Sequence, residues 1–208
     1  MVDYVSVANL ATGFFGEDDQ ISDPEEDSKP ARTVRAVWDQ VRSFVLSKTD
    51  WSFATRRVNL AARTATDEWP IIGYSNAFPL PTDFIRLVDI GGTRLLETDY
   101  AIEAGPARRE LLVDRRGPLI LRYVFDQEDV ARWSPEFVEA FSMRLAWQIA
   151  DRLSGDKQRK QQALDAYTKT ISEARGSDAR QKAPRDQLET DWSAARRGYG
   201  CNRAPGTC

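Results

Sequence analysis

The sequence predicts a mainly α fold: a helical bundle with a small antiparallel β module inserted in it and an extended C-terminal tail. Three observations predict it. Apolar residues recur every three or four positions before residue 68 and again after residue 127, which is the mark of helices with one buried stripe. Between these blocks, short runs rich in β-branched and aromatic residues alternate with glycine turns, and no helical period lies among them. From Ser177 the apolar period fades into a polar, basic stretch that cannot build a core. These changes of character divide the chain into residues 1–68 and 127–176 for the bundle, 69–126 for the insertion and 177–208 for the tail.

Residues 3–15 read as a short helix. Val5, Ala8, Leu10, Ala11 and Phe14 give it a partly apolar face, and Gly13 and Gly16 weaken its end. An acidic, proline-containing loop follows, EDDQISDPEEDSKP. Ser28 suits an N-cap with Pro30 in the first turn. Val34, Val37, Trp38, Val41, Phe44 and Val45 then mark one amphipathic helix running to about Lys48. Asp50 is expected to cap a further helix through WSFATRRVNLAA, with Phe53, Ala54, Val58 and Ala61 on one side.

The segment WPIIGYSNAFPLPTDF, residues 69–84, contains Pro70, Pro79 and Pro81, which forbid a regular helix. The β-like runs after it are Phe84–Ile90, Thr93–Glu97, Tyr100–Glu103, Glu110–Val113 and Pro118–Phe125. Turn signals separate them at Gly91-Gly92, Gly105-Pro106 and Arg116-Gly117. Adjacent strands joined by short turns imply an antiparallel meander.

Helices return at Ser134, an N-cap followed by Pro135 and Glu136. Phe137, Phe141, Leu145, Ile149 and Leu153 line one face, and Gly155 is the expected C-cap. Asp156 caps the next helix, in which Leu164, Tyr167, Ile171 and Ala174 share a face until Gly176. Two helices joined by so short a turn should pack antiparallel. In the tail, a short helix over Asp186–Arg197 is the one element expected.

Composition narrows the chemistry. Among 208 residues there is no histidine, which removes the commonest general base and zinc ligand. Neither a P-loop nor a G-x-G-x-x-G motif is present. Carboxylates cluster at 17–27, but a two-metal site needs them on rigid elements, so a non-enzymatic chain without cofactor or metal is expected. No apolar run approaches the roughly 20 residues of a membrane span, and no signal-peptide pattern opens the chain; folding in a cytosol is expected. Cys201 and Cys208 could close a small loop, against which a reducing compartment argues.

Charge is unevenly placed. The total is −3, yet residues 1–30 carry a net −7 and residues 156–208 a net +4. Opposite-sign ends suit docking between molecules, although two solvated segments would give the same totals. Trp38, Phe44, Phe141 and Trp147 fall at helical spacing and are expected in the core. Trp51, Trp69, Tyr74 and Phe78 flank the join between helices and insertion, where they would clamp it. Stacking on bases is the sharper alternative, with Arg56, Arg57 and Arg63 nearby in sequence. The Arg108-Arg109 and Arg115-Arg116 pairs could meet phosphates or an acidic neighbour, or be solvated.

The order NLATGFFGE, DWSFATRRVNLA, GYSNAFPLPTDFIRLVDI, DYAIEAG, LLVDRRGPLILRYVFD and WSPEFVEAFSMRLAWQIADRL resembles the head–tail adaptor family of tailed bacteriophages. That family includes the tail tubular protein A type of podophages and related adaptors of siphophages and gene transfer agents. The resemblance spans roughly residues 4–175, and its most specific pieces are W-x-F-A-x-x-R followed by G-Y-x-x-A-F-x-L-P-x-D-F-x-R. It implies a helical bundle with an inserted β module. It also implies a dodecameric ring under the portal protein, which continues the channel for double-stranded DNA and carries tail, nozzle or stopper proteins. The implied setting is the head–tail interface of a virion, assembled in the host cytoplasm, with no membrane. The joint residues on these motifs are Trp51, Phe53, Arg56, Tyr74, Phe78, Pro81 and Asp83. In several relatives the C-terminal tail embeds in the portal. Here that role would fall to Arg180, Lys182, Arg185, Trp192, Arg196, Arg197 and Tyr199, with Trp192 as anchor. The cysteine- and glycine-containing end matches no family feature. Two other functions remain open on the residues: a nucleic-acid-binding protein using the basic tail, and a metal-dependent enzyme relying on acids alone.

Overall fold

A computed structural model describes residues 2–16 and 20–181. Among them are five α-helices: α1 (Tyr4–Gly13), α2 (Lys29–Arg35), α3 (Trp38–Leu46), α4 (Pro135–Leu153) and α5 (Lys157–Gln181). Six strands accompany them: β1 (Thr55–Leu60), β2 (Asn76–Pro79), β3 (Phe84–Ile90), β4 (Tyr100–Ala104), β5 (Arg109–Val113) and β6 (Leu119–Phe125). The strands make two three-stranded sheets, ordered β1-β6-β3 and β2-β5-β4. Every pairing is antiparallel.

These sheets overturn the expectation of a mainly α bundle: the fold is mixed α and β. The largest single correction lies at residues 50–62, expected as a helix. They form one 3-10 turn (Ser52–Ala54) and then β1. Strand β1 pairs with β6 in unbroken register from Thr55↔Val124 to Leu60↔Leu119. Sheet structure therefore begins before residue 69, inside the segment assigned to the bundle. The meander is also corrected, because β6 returns between β1 and β3 while β5 pairs with β2 and β4.

The helices begin where their caps are. In α1 the Ser6 amide donates to Asp3 Oδ1 at 2.8 Å, and the Asp3 amide donates to Ser6 Oγ at 3.0 Å, a reciprocal capping box. The Ala31 amide donates to Ser28 at the start of α2, and the Phe137 amide donates to Ser134 at the start of α4. The single helix expected from Ser28 to Lys48 breaks at Val37. There the amide turns to the Val34 carbonyl at 3.1 Å, a tighter i−3 bond, and α3 restarts with Val41 N–H on the Val37 carbonyl. After α4, Gly155 takes φ +65° and its amide donates to the Ala150 carbonyl at 2.9 Å, the left-handed C-terminal cap that glycine accepts without strain. Helix α5 folds back along α4 and continues past Gly176.

Two cores result. In the helical one, Trp38, Trp133, Phe137 and Phe141 form an aromatic cluster with ring centres 4.7–6.0 Å apart. The second lies between the sheets, where Leu119, Leu121, Tyr123 and Phe125 of β6 meet Phe78, Leu111 and Val113. Alternation along a strand sends neighbours to opposite faces, so Val124 joins the helical core with Val88. The β1-β6-β3 sheet is thus the middle layer, shared by both cores. Just after β1 the chain meets the edge of the other sheet at Arg63, which bridges to Ala77 and whose Nε donates to both Glu110 carboxylate oxygens at 2.8 and 3.0 Å. No helix among the described residues is long and apolar enough to cross a membrane.

Candidate docking site at the helix–sheet joint

Three arginine–carboxylate groups gather around the β1-β6-β3 sheet, and the first of them reaches a helix. Arg42 lies on the buried stripe of α3, with Trp38, Val41 and Val45. It grips Asp126, just after β6, and Asp39 at 2.7 Å, with Glu128 at 3.7 Å. Its side chain is only 8% exposed. Burial works against the Arg42 charge. The hydrogen bond and charge of Asp126, aided by Asp39 and Glu128, outweigh it and lift its pKa above the ordinary arginine value.

The second group centres on Asp50, which accepts hydrogen bonds from Arg86 of β3 and, at 3.3 Å, from Arg94. Asp50 therefore joins the chain before β1 to β3, which explains its place better than the helix cap expected of it. In the third group Asp83 accepts from Arg56 at 2.9 Å and from the Tyr123 hydroxyl at 3.0 Å. The Arg56 guanidinium also lies 3.5 Å from the Phe125 ring centre. Burial, reinforced by the Asp83 carboxylate, pushes the Tyr123 hydroxyl up to about 12, so it stays protonated as the donor.

The seven joint residues named from the sequence take different places. Trp51 and Phe53 set their rings against Phe137 at 5.0 and 5.1 Å, and the Trp51 Nε1–H donates to the Val45 carbonyl at 3.2 Å. Arg56 pairs with Asp83, and the Pro81 carbonyl accepts from the Phe84 amide, closing the turn into β3. Phe78 belongs to the core between the sheets. Tyr74 is half-buried, with no ring partner among the described residues. Trp69 is 37% exposed, and only its backbone carbonyl meets Arg63.

Arg108 and Arg109 fold back on the sheets: Arg109 donates to the Phe84 carbonyl and lies 5.3 Å from the Phe84 ring. Asp114, beside the other arginine pair, accepts from the Ser75 amide and hydroxyl, both at 2.7 Å. Of the tail residues, Arg180 falls on the α5 backbone. Lys182, Arg185, Trp192, Arg196, Arg197, Tyr199, Cys201 and Cys208 lie outside the described residues, as do Glu17, Asp18 and Asp19 of the acidic loop.

Arg42 and Asp126 carry no motif of their own, while Asp50 is expected only as a helix cap and Arg86 only as the end of a motif. A signal existed for Arg42, which stands four residues after Trp38 and three before Val45 on an otherwise apolar face. A charge there needs a partner, and besides the exposed Asp39 that partner, Asp126, is 84 positions away. An open hollow of about 390 Å³ lies beside the joint, lined by Ser43, Thr82, Asp83, Phe84, Asp126 and Glu128 among others. Among the described residues no group of carboxylates or cysteines is arranged to hold a metal ion. The geometry locks layers together and presents surfaces. No protein-family model matches the chain, and no curated protein is found similar to it.

Proposed function

We propose that this chain is a structural head–tail adaptor of a tailed phage or phage-like particle, without enzymatic activity. It stacks as a dodecameric ring under the portal protein in the virion, continues the channel for double-stranded DNA and offers its far side to tail, nozzle or stopper proteins. One observation carries the reading. The two motif stretches most specific to the adaptor resemblance, residues 51–57 and 73–86, flank β6 on opposite sides and are tied across it by ion pairs. Asp50, which precedes the first stretch, binds Arg86 of the second, and Arg56 of the first binds Asp83 of the second. Asp83 and Arg86 hold fixed places in the second motif, and through them the neighbourhood of the first motif is fastened to β3. A net charge of −3 suits passage of a duplex better than its capture.

The test is co-assembly with the portal protein of the same particle, viewed by negative-stain microscopy. Stacked rings are the expected outcome, and a chain that never joins the portal would sink the proposal. Removing residues 177–208 should abolish docking while circular dichroism shows an intact fold; undiminished docking would refute the tail as anchor. Salt-sensitive retention of DNA by the isolated protein, with no rings, would instead favour a nucleic-acid-binding role.

A further inference from the structure

Arg144 is a half-buried cation to which no described carboxylate comes close. It projects from α4 among three rings, its guanidinium carbon 4.0 Å from the Trp147 ring centre, 4.5 Å from Phe44 and 6.0 Å from Tyr167. Its Nε is enclosed and makes no hydrogen bond, and the neighbouring Tyr167 hydroxyl is likewise enclosed and unbonded. Burial holds its pKa below the ordinary arginine value, with no carboxylate among the described residues to offset the effect. Other cations gather there. Lys48 Nζ lies 4.1 Å from the Phe44 ring centre, Lys160 Nζ lies 5.0 Å from Trp147, and Arg175 donates to the Lys48 carbonyl at 3.1 Å. Of these, Lys160 alone has a carboxylate among the described residues, that of Asp151.

Ring faces replace part of the water that a guanidinium loses, but they leave its N–H groups unanswered. Phe44 and Trp147, expected in the core, stand at its edge: Phe44 is 36% exposed and Trp147 half-buried. A surface of stacked cations with unused donors fits a partner that brings several carboxylates and little bulk.

The chain carries such a segment. Asp23, Glu25, Glu26 and Asp27 precede α2, and the side chains of Glu25 and Asp27 are 83% and 85% exposed. Within one copy they are tethered to α2, Glu25 by Arg35 at 3.6 Å and Asp27 by Arg32 at 2.7 Å, and none of them meets Arg144. We propose that the acidic turn of one copy docks on the Arg144–Phe44–Trp147 cluster of a second copy, placing carboxylates beside the open side of the guanidinium while its Nε stays enclosed. Such a contact joins unlike surfaces head to tail, and a ring results where the rotation closes; in that respect the inference rests on the ring reading.

The experiment uses the full chain and a fluorescently labelled peptide of residues 20–28, QISDPEEDS, followed by anisotropy. Saturable capture that weakens with salt is expected. Arg144→Gln should weaken it about tenfold, as loss of a charge-assisted pair does, and Lys48→Gln by about twofold, as for a rim charge. Circular dichroism verifies that both variants fold. No saturable capture up to about 1 mM overturns the inference. So does capture indifferent to both substitutions, or equal capture of a scrambled peptide. Capture without portal rings sinks the adaptor reading and leaves the contact between copies standing; portal rings without capture do the reverse.

Discussion

Arg42 of α3 holds Asp126 of the β6 terminus in a two-pronged grip, Nε on Oδ1 at 2.7 Å and Nη2 on Oδ2 at 2.9 Å. The two residues are 84 positions apart. The contact ties the helix before the sheets to the strand that leads out of them. Parallel donors of this kind fix orientation as well as distance.

Asp126→Ala removes the two-pronged partner of a cation that is 8% exposed and leaves it Asp39 and Glu128, and it should lower unfolding free energy by about 2 kcal/mol. Urea denaturation measures it. Arg42→Met combined with Asp126→Leu should lose less than the two single changes summed, since no unpaired charge remains. Additive losses would show that the pair is not coupled.

Phe137 and Phe78 are both fully buried, one in each core. Truncation of either to alanine should lower stability by about 3–5 kcal/mol. Because Val88 and Val124 tie the middle sheet into the helical core, each variant should still unfold in one transition. Far-ultraviolet dichroism and tryptophan emission, followed in the same titration, should coincide; separate midpoints would show that the layers unfold independently.

Gly105 stands against the side chain of Glu110. A Cβ there would fall 2.3 Å from Glu110 Cδ, and Glu110 is 4% exposed and held by Arg63. Gly105→Ala should therefore lower the melting temperature, by about 1–3 kcal/mol in stability. Gly13→Ala, with nothing within 4 Å of the added atom, should be neutral or slightly stabilising. Thermal melts of the two variants side by side decide it.

Glu26 couples the acidic turn to pH. The Ser28 hydroxyl and the amide and hydroxyl of Ser22 lower its pKa from 4.5 to about 2. A carboxyl with a depressed folded value contributes stability that is whole above 4.5 and is lost as pH falls toward about 2. Chemical shifts of the Glu26 side chain should report a midpoint near the lower value. Glu26→Gln should flatten the acid limb of the urea midpoint in that window; an unchanged limb would show that the serines do not hold the carboxylate.

What could be read from the chain alone is what short-range physics governs. Ser28 and Ser134 cap helices because their oxygens meet amides three residues on, and Gly155 ends one because only its own backbone must turn left-handed. Strand β3 was legible to the residue because Phe84–Ile90 combines β-branched and aromatic residues with a Gly-Gly turn at its end.

Tertiary structure decided the rest. Phe53, Ala54, Val58 and Ala61 mimic a helical stripe, yet Thr55–Leu60 is a strand because β6, about sixty residues later, offers a complete ladder of hydrogen bonds. No local preference registers a partner that distant. Strand β2 hid among prolines for a related reason: it lies at a sheet edge, where the missing N–H of Pro79 is tolerated. Of the joint residues named from the sequence, Trp51 and Phe53 pack on Phe137 and Arg56 pairs with Asp83, whereas Arg42 and Asp126 carried no such mark because they become a pair only when the layers meet. Apolar residues announce burial by themselves, whereas an ion pair exists only between two places that folding brings together.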